Sequence, residues 1–293
     1  MKIAIFGRTF NTDFNPFIIE FLKHLQRRKV ELTIYKPFYE YILEHTGFSF
    51  KNANFFQNPS DAPGNADFLI SIGGDGTFLE SIVFLKNFSI PVIGLNSGRL
   101  GFLANISKEE ISEALDSILG GDYELEKRSL LTLESETNPF GPYNYALNDA
   151  TIQKKDTYLI SINTYLNNEY LNTYWTDGLI ISTPTGSTAY SLAVGGPIVL
   201  PGSENLVIAP IASHNLTVRP LVIPDDIEIR VEVTSRSGNF LVSVDNRTEV
   251  LSAEHNTFKI KKAQFKLRMV KLPFNNYYAT LRNKLMWGAD IRN

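Results

Sequence analysis

The chain of 293 residues contains no cysteine, and that absence removes several kinds of site. A disulfide framework, a thiolate zinc site, an iron–sulfur cluster and a cysteine nucleophile each require a residue that is missing here. The four histidines do not stand at the spacing of metal ligands. We therefore expect no metal site built from cysteine or histidine.

Positive charge and long apolar runs are also scarce. The 28 Lys and Arg residues against 31 Asp and Glu residues give a formal charge of −3, without the basic excess typical of nucleic-acid binding. No apolar run approaches the roughly 18 residues of a membrane-spanning helix, and the run at residues 3–6 is too short for a signal peptide. These features predict a cytoplasmic protein that binds neither nucleic acid nor a membrane.

What is present falls into two parts with different hydrophobic periodicity. In the first part, apolar runs that predict buried strands lie at residues 3–6, 30–35, 67–72 and 90–95. Helical stripes are predicted at Ile18, Phe21, Leu22 and Leu25, and at Ile111, Ala114, Leu115 and Ile118. Capping boxes are predicted for Thr77 with Glu80 and for Ser107 with Glu110. Strands that alternate with helices predict a parallel sheet covered by helices.

From about Tyr123 onward, apolar and polar residues alternate with the period of a strand that has one wet face. Strands are predicted at residues 158–166, 170–174, 227–233, 240–245 and 258–272, with Asn167-Asn168 as a hairpin turn. This part predicts an antiparallel, β-rich domain. The aromatic and apolar segment 276–287 is expected to dock on the protein rather than trail.

The sharpest local feature is Gly-Gly-Asp-Gly-Thr at residues 73–77, which joins a predicted strand to a predicted helix start. Glycines let backbone N–H groups approach a phosphate closely, and the helix N-terminus adds a partial positive charge. Asp75 would repel a phosphate unless it has separate work, either holding Mg²⁺ on phosphate oxygens or taking a proton from an attacking hydroxyl. The alternative interpretation is a plain Asp-Gly turn after a strand.

A second feature is the segment Thr-Pro-Thr-Gly-Ser-Thr at residues 183–188, which follows a predicted strand. Its small hydroxyl side chains offer hydrogen bonds without bulk to sugar hydroxyls or phosphates. A turn with a helix cap explains these residues equally well. Asn148-Asp149, taken alone, is interpreted as a turn, and the basic pairs Lys154-Lys155 and Lys261-Lys262 as solvated surface.

Together these motifs resemble the NAD kinase family over nearly the whole chain. The family has GGDGT after a strand, Asn followed by Glu or Asp, and Asp-Gly before a TPTGSTAYSLSAGGPI-like stretch. The matching residues here are 73–77, 148–149, 177–178 and 183–198, with further similarity at 214–222 and 281–288. GGDGT also occurs in diacylglycerol and sphingosine kinases, so the stretch 183–198 is the discriminating motif.

The resemblance implies an N-terminal Rossmann-like α/β domain, residues 1–122, and a C-terminal β-sandwich-like domain, residues 123–275, with 276–293 packing back on the first. It also implies that the γ-phosphoryl group of ATP, or of polyphosphate in some members, is transferred to the adenosine-ribose 2′-hydroxyl of NAD⁺. The products would be NADP⁺ and ADP. Mg²⁺ or another divalent cation is expected on the substrate phosphates rather than on protein side chains, and a homodimer or homotetramer is expected.

Residue by residue, Asp75 matches the family's catalytic base and Gly76 its neighbour at the phosphates. Asn148 and Asp149 match the pair that contacts the adenosine portion of the dinucleotide, and Asp177 matches another dinucleotide-binding acid. The remaining matches line the NAD site: Thr188, Ala189, Tyr190, Ser191, Leu192, Ala193 and Ala212. The last of these positions is often supplied across a subunit interface.

The chain departs from the family pattern at three positions. Ser213 replaces a common proline, Val194 replaces a common alanine, and Arg247 stands where a glutamine often binds the nucleotide. Arg247 is kept as a candidate nucleotide contact. Two other functions fit part of the pattern, a GGDGT-type lipid or sugar kinase and a non-catalytic NADP(H) sensor. The segment 183–193 argues against the first, and the carboxylate of Asp75 argues against the second.

Overall fold

The computed structural model describes residues 1–50, 52–85, 88–252, 254 and 256–287. These residues divide into two compact units, Met1–Glu126 together with the segment from Arg268 onward, and Lys127–Leu267. In this described part of the chain, no helix is both long and apolar enough to cross a membrane. His255 and Gly288, the last residue of the family-like ending, lie outside the described residues.

The first unit is built on parallel strands with helices between them. Its strands are β1 (Lys2–Gly7), β2 (Glu31–Tyr35), β3 (Ala53–Phe56), β4 (Phe68–Gly73) and β5 (Val92–Asn96). Its helices are α1 (Asn15–Arg27), α2 (Lys36–Thr46), α3 (Asp75–Ile82) and α4 (Ile111–Gly120). The strands lie in the order β5-β4-β1-β2-β3, all parallel, so their carboxyl ends share one edge of the sheet.

Burial follows the predicted periodicity. Every residue of β4 is buried, as expected for a strand covered by helices on both faces. The predicted stripes of α1 and α4 are the buried residues of those helices. The capping box of Ser107 and Glu110 is present, but the one predicted for Thr77 and Glu80 is wrong. Gly74 is the N-cap of α3, and the Glu80 carboxylate binds Arg8 instead.

The second unit is β-rich. Its strands are β6 (Glu124–Glu134, which starts in the first unit), β7 (Tyr145–Ala146), β8 (Asp149–Lys154), β9 (Ile160–Leu166), β10 (Glu169–Thr176), β11 (Gly178–Ser182), β12 (Asn205–Ile211), β13 (Leu221–Pro224), β14 (Ile229–Ser235), β15 (Asn239–Val244), β16 (Arg247–Ser252) and β17 (Thr257–Lys271, which ends in the first unit). The described residues add a short helix, α5 (Tyr190–Ala193), and a 3-10 turn, Gly186–Thr188. After β17 the chain forms α6 (Tyr277–Leu285) in the first unit.

Two antiparallel sheets make up this second unit. One has the order β13-β12-β11-β8-β15-β16, and the other contains β10-β9-β14-β17. Alternate residues of both sheets meet in one apolar core, with Ile152 and Ile181 from the first and Ile162 and Val231 from the second. The predicted architecture, an α/β part followed by an antiparallel β-sandwich, is confirmed. The hairpin turn at Asn167-Asn168 is also confirmed, with φ of 48° and 69°.

Candidate functional site

The GGDGT motif of the first unit is the turn between β4 and α3, at the carboxyl edge of the parallel sheet. Gly73 has a φ of +155°, and a Cβ atom there would lie 2.4 Å from Thr77 Oγ1, so the turn requires glycine. Gly74 and Gly76 are exposed, and a Cβ atom on either would meet nothing within 4 Å. The glycines therefore leave the first turn of α3 uncovered by side chains, as phosphate binding at a helix N-terminus requires.

The Asp75 carboxylate is held by consecutive backbone amides. Its Oδ2 accepts a hydrogen bond from Phe102 N at 2.9 Å, and its Oδ1 accepts from Leu103 N and Ala104 N, each at 2.9 Å. We name residues 98–104 the amide loop. A Cβ atom on Gly101 would lie 1.9 Å from Asp75 Oδ1, so only glycine lets the amide loop approach this closely. The loop thus fixes the carboxylate in one orientation.

Asn96, the buried last residue of β5, holds the amide loop in place. Its Nδ2 donates to Arg99 O at 2.6 Å and to Ala104 O at 3.3 Å, and its Oδ1 accepts from Gly98 N at 2.7 Å. Because β5 pairs with β4 in parallel, a loop that leaves β5 reaches the turn that leaves β4. The sequence analysis missed this loop, although Asn96 and two following glycines after a predicted strand were a signal for it.

The C-terminal segment of the same unit supports the amide loop. The ring centroids of Phe102 and Tyr277 lie 6.3 Å apart, and Asn275 Nδ2 donates to Asn105 Oδ1 at 3.2 Å. Leu281 of α6 is buried. Within its described residues, the segment 276–287 docks on the protein.

A cation lies at the same edge of the sheet. Arg8 follows β1, and its Nε donates to Glu80 Oε2 at 2.7 Å while a second guanidinium nitrogen contacts the other carboxylate oxygen. The guanidinium also lies 5.6 Å from the ring centroids of Phe6 and Tyr35. Sequence reasoning did not single out Arg8, because its partner Glu80 is 72 residues away along the chain.

In the second unit, the structure brings together two motifs that lie far apart in sequence. Asn148 and Asp149 stand at the start of β8, and Asp149 is opposite Ser182 of β11. The carbonyl oxygen of Asn148 accepts from Thr183 N at 2.9 Å, so the hydroxyl-rich segment begins at this pair. Asn148 Oδ1 is buried and receives no hydrogen bond from the described residues. The interpretation of 148–149 as a plain turn is wrong, because Asp149 is the first strand residue.

Asp245 holds the same pair from the other side. Its Oδ2 accepts from Leu147 N at 2.8 Å, and its Oδ1 accepts from Asn148 N at 2.7 Å and Asp149 N at 3.3 Å. Its own N–H donates to Asp149 O at 2.9 Å. In the sequence, Asp245 matches the acid of the family's Ser-x-Asp-Gly-Gln-like element, but it was assigned no role in the site.

The carboxyl groups of Asp149 and Asp245 therefore lie close enough to influence each other's charge. Burial and the nearby Asp245 raise the pKa of Asp149 to about 7, although the Thr151 hydroxyl, which donates to its Oδ1 at 2.9 Å, opposes the shift. Burial also raises the pKa of Asp245, against the amides of residues 147–149 and the charge of Arg247. Since Asp245 accepts from three N–H donors and Asp149 from a single hydroxyl, hydrogen bonding favours the ionised form more strongly at Asp245 than at Asp149.

Arg247 is occupied by the backbone. Its two terminal nitrogens donate to the carbonyl oxygens of Tyr143 and Tyr145, and its guanidinium lies 5.5 Å from the Tyr145 ring centroid. Burial lowers the pKa of Arg247, while Asp245 opposes that shift. Its contact with a nucleotide stays a prediction.

Asp177 lies at the opposite end of the β8–β11 pair. In the register of these antiparallel strands, Gly178 faces Gln153 while Ser182 faces Asp149, so Asp177 and Asp149 are separated by about 16 Å along the strands. Asp177 Oδ1 lies 2.7 Å from Lys154 Nζ. The prediction that Lys154 belongs to a solvated face is wrong, because its side chain is half-buried in this ion pair. Lys262 likewise pairs with the buried Asp225.

Most of the predicted NAD-lining residues, 188–193, follow β11 along the chain. Thr188 ends the 3-10 turn, Ala189 links it to α5, and α5 consists of Tyr190, Ser191, Leu192 and Ala193. Tyr190 is exposed, and its hydroxyl accepts from Gln153 Nε2 of β8 at 2.8 Å. Ser191 Oγ is buried and has no hydrogen-bond partner in the described part of the chain. Leu192 is half-buried and Ala193 exposed.

Ala212 has a backbone conformation that is rare for alanine. It is exposed, follows β12 and has a φ of +46°. A non-glycine residue in this region costs on the order of 1 kcal/mol and persists where the surroundings impose it. Because Asp177 N donates to Ile211 O at 3.0 Å, Ala212 belongs to the Asp177 end of the strand pair.

These observations define a class of protein. A carboxylate in a glycine-rich turn at the edge of a parallel sheet, beside the uncovered N-terminus of a helix, is typical of proteins that bind and transfer phosphate groups. Models of the ATP-NAD kinase N-terminal and C-terminal domains match residues 17–123 and 147–272. The chain belongs to the ATP-NAD kinase family.

Individual relatives are similar in sequence to this chain over its full length. The chain is 43% identical to NAD kinase from Cytophaga hutchinsonii over 294 residues and 46% identical to NAD kinase from Flavobacterium johnsoniae over 296 residues, with 100% of each chain covered. It shares its fold with yeast NADH kinase complexed with NADH, at a TM-score of 0.87 and 23% identity, covering 100% of this chain and 89% of that one. It also shares its fold with an NAD kinase from Archaeoglobus fulgidus in complex with ATP, at a TM-score of 0.75 and 24% identity, covering 98% and 99%.

Proposed function

We propose that this protein transfers the γ-phosphoryl group of ATP to the adenosine-ribose 2′-hydroxyl of NAD⁺, which yields NADP⁺ and ADP. Its full-length relatives named NAD kinase support the overall activity. The observation that carries the proposal is the Asp75 carboxylate, which three backbone amides hold beside the uncovered first turn of α3.

Asp75 is the general base in this proposal. A ribose hydroxyl is a poor nucleophile at neutral pH, so Asp75 takes its proton as the new bond from oxygen to phosphorus forms. The bond from the γ-phosphorus to the bridging oxygen breaks, and ADP leaves with that oxygen. Assistance of this kind is worth about 10² to 10⁴ in rate. Because the amide loop already fixes the carboxylate, little orientational freedom is lost on reaching the transition state.

The phosphates of ATP bind at the α3 N-terminus in this proposal, where Gly76 leaves room for them. Mg²⁺ enters with ATP as part of the substrate and neutralises the phosphate charge. In the described part of the chain, no three acidic or imidazole side chains come together in a way that could hold a metal ion. In this proposal the cation is carried by the substrate phosphates.

The NAD⁺ site in this proposal lies on the second unit. Its residues are Asn148, Asp149, Asp177, Thr188, Ala189, Tyr190, Ser191, Leu192, Ala193 and Ala212, with Arg247 acting as described below. The separation of about 16 Å between its two ends suits an extended ligand with two nucleoside ends. Asn148 Oδ1 and Ser191 Oγ support a polar ligand, since both are buried and unpartnered among the described residues.

Several further features stay predictions. These are the functional domain division at residues 1–122, 123–275 and 276–293, the cytoplasmic location, and the homodimer or homotetramer in which Ala212 serves a neighbouring subunit. Acceptance of polyphosphate in place of ATP is also untested. Each rests on the sequence or on the family resemblance.

The test is an assay of NADP⁺ formation from NAD⁺, ATP and Mg²⁺, coupled to an NADP-specific dehydrogenase. We expect activity from the parent protein and its near-complete loss in Asp75→Asn, with folding and NAD⁺ binding retained. Asp122→Asn, which changes an exposed acid of the same unit, is the matched control. A parent protein that binds NAD⁺ but uses neither ATP nor polyphosphate would favour a sensor, and preference for another acceptor would favour a lipid or sugar kinase.

A further inference from the structure

The turn between β15 and β16, residues 245–247, makes hydrogen bonds through two side chains to the backbone of the segment that leads into β8. We name this turn the clamp turn. Asp245 receives the backbone N–H groups of residues 147–149, and Arg247 donates to the carbonyl oxygens of Tyr143 and Tyr145. The carboxylate thus satisfies donors and the guanidinium satisfies acceptors of the same short segment, 143–149.

This arrangement leaves Asn148 little backbone freedom. Its N–H is bound to Asp245 at 2.7 Å, and its carbonyl oxygen is bound to Thr183 N at 2.9 Å. Thr183 also donates its hydroxyl to Leu147 O. The side chain of Asn148, with its buried Oδ1 that has no partner among the described residues, is therefore oriented by contacts that the clamp turn and Thr183 make with the backbone.

Turn geometry alone does not account for a carboxylate at this position. Asp245 has a φ of +52°, a conformation that Asn adopts as readily as Asp. A charged group beside Asp149, in a site that disfavours charge, is costly unless its hydrogen bonds repay that cost. The N–H groups of residues 147–149, together with Arg247, provide that compensation.

We propose that Asp245 and Arg247 are positioning residues for NAD⁺, which hold Asn148 and Asp149 in the orientation that binds the dinucleotide. Arg247 acts through the backbone of Tyr143 and Tyr145 rather than by contact with the nucleotide. This inference rests on the proposed function, in which Asn148 and Asp149 belong to the NAD⁺ site.

The decisive variant is Asp245→Asn. Asn keeps the volume and the backbone conformation, but its NH₂ group replaces one acceptor oxygen and faces an N–H donor. We expect the KM for NAD⁺ to rise about 10- to 100-fold, as when a hydrogen bond to a charged group is replaced by an unsatisfied donor. The kcat and the KM for ATP stay within about twofold, because the change acts on ground-state and transition-state binding of NAD⁺ alike.

A second readout reports positioning directly. Hydrogen exchange of the amides of residues 147–149, measured on the ligand-free protein, should accelerate about tenfold or more in Asp245→Asn. Exchange of residues 151–153 within β8 should not change. Asp226→Asn, an exposed acid of the same unit, is the matched control and should leave both readouts at the parent level.

Arg247→Lys tests the other half of the clamp turn. Lysine keeps the charge but cannot donate to two carbonyl oxygens in the fixed fork of a guanidinium. We expect the KM for NAD⁺ to rise a few fold in Arg247→Lys. In the double variant with Asp245→Asn, the increase in KM relative to the parent should be smaller than the product of the two single increases. Multiplicative effects would overturn the shared action through segment 143–149.

The outcomes separate this inference from the proposed function. A parent protein that forms no NADP⁺ would defeat the proposed function itself. An active parent with an unchanged KM for NAD⁺ in Asp245→Asn would overturn the positioning role, even if exchange accelerated. Equal losses for NAD⁺ and ATP would overturn it as well, since they indicate general destabilisation. If Asp245→Asn does not fold, Arg247→Lys decides by the same two readouts.

Discussion

Asp75 in the first unit and Asp245 in the second are both held by three consecutive backbone amides, yet the two carboxylates do different work. The amides of residues 102–104 surround Asp75, and those of residues 147–149 surround Asp245. In each case the carboxylate binds a segment next to a neighbouring strand, since residues 102–104 follow β5 and residues 147–149 lead into β8. In both places the carboxylate and the three amides that donate to it fix each other's orientation.

The surroundings make the difference. Asp75 is half-buried between exposed glycines at a helix N-terminus, so a substrate can reach it. Asp245 is half-buried as well, but it lies beside Asp149 and Arg247, and desolvation of its carboxyl raises its pKa. Hydrogen-bond geometry alone therefore does not identify a catalytic carboxylate. The neighbouring groups distinguish the two: exposed glycines and a helix N-terminus at Asp75, and another acid and an arginine at Asp245.

The different roles of Asp75 and Asp245 are tested most directly by removing each negative charge in turn. Asp75→Asn removes the proton acceptor, so kcat should fall about a hundredfold or more while the KM for NAD⁺ stays near the parent value. Asp245→Asn should show the reverse pattern, a raised KM with nearly unchanged kcat. Steady-state kinetics with each substrate varied in turn measures both patterns. A near-normal kcat in Asp75→Asn would remove Asp75 from the role of base.

The contrast also explains what the sequence could and could not predict. GGDGT was recognisable because glycine is needed at Gly73 for a steric reason that is local in sequence. Asp245 carried no such signal, since its partners are backbone amides nearly 100 residues away, and any residue type can supply an amide. The contacts between Asp75 and the amides of residues 102–104 were unpredictable for the same reason, although Asn96 and the glycines that follow it were a signal for the loop itself.

Hydrophobic periodicity likewise predicted the elements with many buried residues and not those with few. The helix α1 was predictable because it buries a full stripe of four apolar residues against the sheet. The helix α2 buries only Phe38 and Ile42, and β3 has four residues of which Phe56 alone is buried. Tertiary contacts complete these short elements, and a pattern of one or two buried residues does not specify them.

A smaller steric change tests how tightly the Asp75 carboxylate must be held. Gly101→Ala places a Cβ atom 1.9 Å from Asp75 Oδ1, so either the carboxylate or the amide loop must move. We expect kcat to fall about tenfold, since misplacing a reacting group by 1 Å can cost up to 10²-fold, and stability to fall by about 1–3 kcal/mol. Kinetics and chemical denaturation measure the two effects.

Gly98→Ala is the matched control for this change, because a Cβ atom there meets nothing within 4 Å. It should alter stability by no more than about 0.5 kcal/mol and leave kcat unchanged. If Gly101→Ala behaved in the same way, the amide loop would have room to adjust, and the orientation of Asp75 would not depend on close contact.

The pair Asp149 and Asp245 predicts that the stability of the protein depends on pH. The pKa of Asp149 is raised from 3.8 to about 7, so the folded protein binds its proton more tightly than the unfolded chain does. This stabilisation is complete below pH 4 and is lost as pH rises through 7, with a slope of at most about 1.4 kcal/mol per pH unit. Stability should therefore fall between pH 5 and 8.

Asp149→Asn should flatten that slope, because Asn resembles the protonated acid and still accepts from Thr151. Urea unfolding at each pH, followed by Trp175 fluorescence in a Trp287→Phe background, reports on the second unit, where Trp175 lies. An identical slope in the parent and in Asp149→Asn would assign the titration to another group.

The smallest expected effect concerns the other end of the β8–β11 pair. Lys154 and Asp177 form an ion pair at 2.7 Å, with side chains that are 28% and 31% exposed. A double-mutant cycle with Lys154→Gln and Asp177→Asn should give a coupling of about 0.5–1 kcal/mol, since solvent still screens the charges. The coupling should shrink at 0.5 M salt, where the Debye length is about 4–5 Å.

The coupling energy between Lys154 and Asp177 tests whether Asp177 is free to bind a ligand, in contrast to the buried Asp149 at the other end of the strand pair. A weak pair lets Asp177 exchange Lys154 for a hydroxyl group of a ligand at little cost, whereas Asp149 at the other end is buried and has a pKa raised to about 7. A coupling above about 2 kcal/mol that does not respond to salt would mean that Lys154 and Asp177 behave as a buried pair. Asp177 would then be a structural acid like Asp245, and its assignment to the NAD⁺ site would have to be withdrawn.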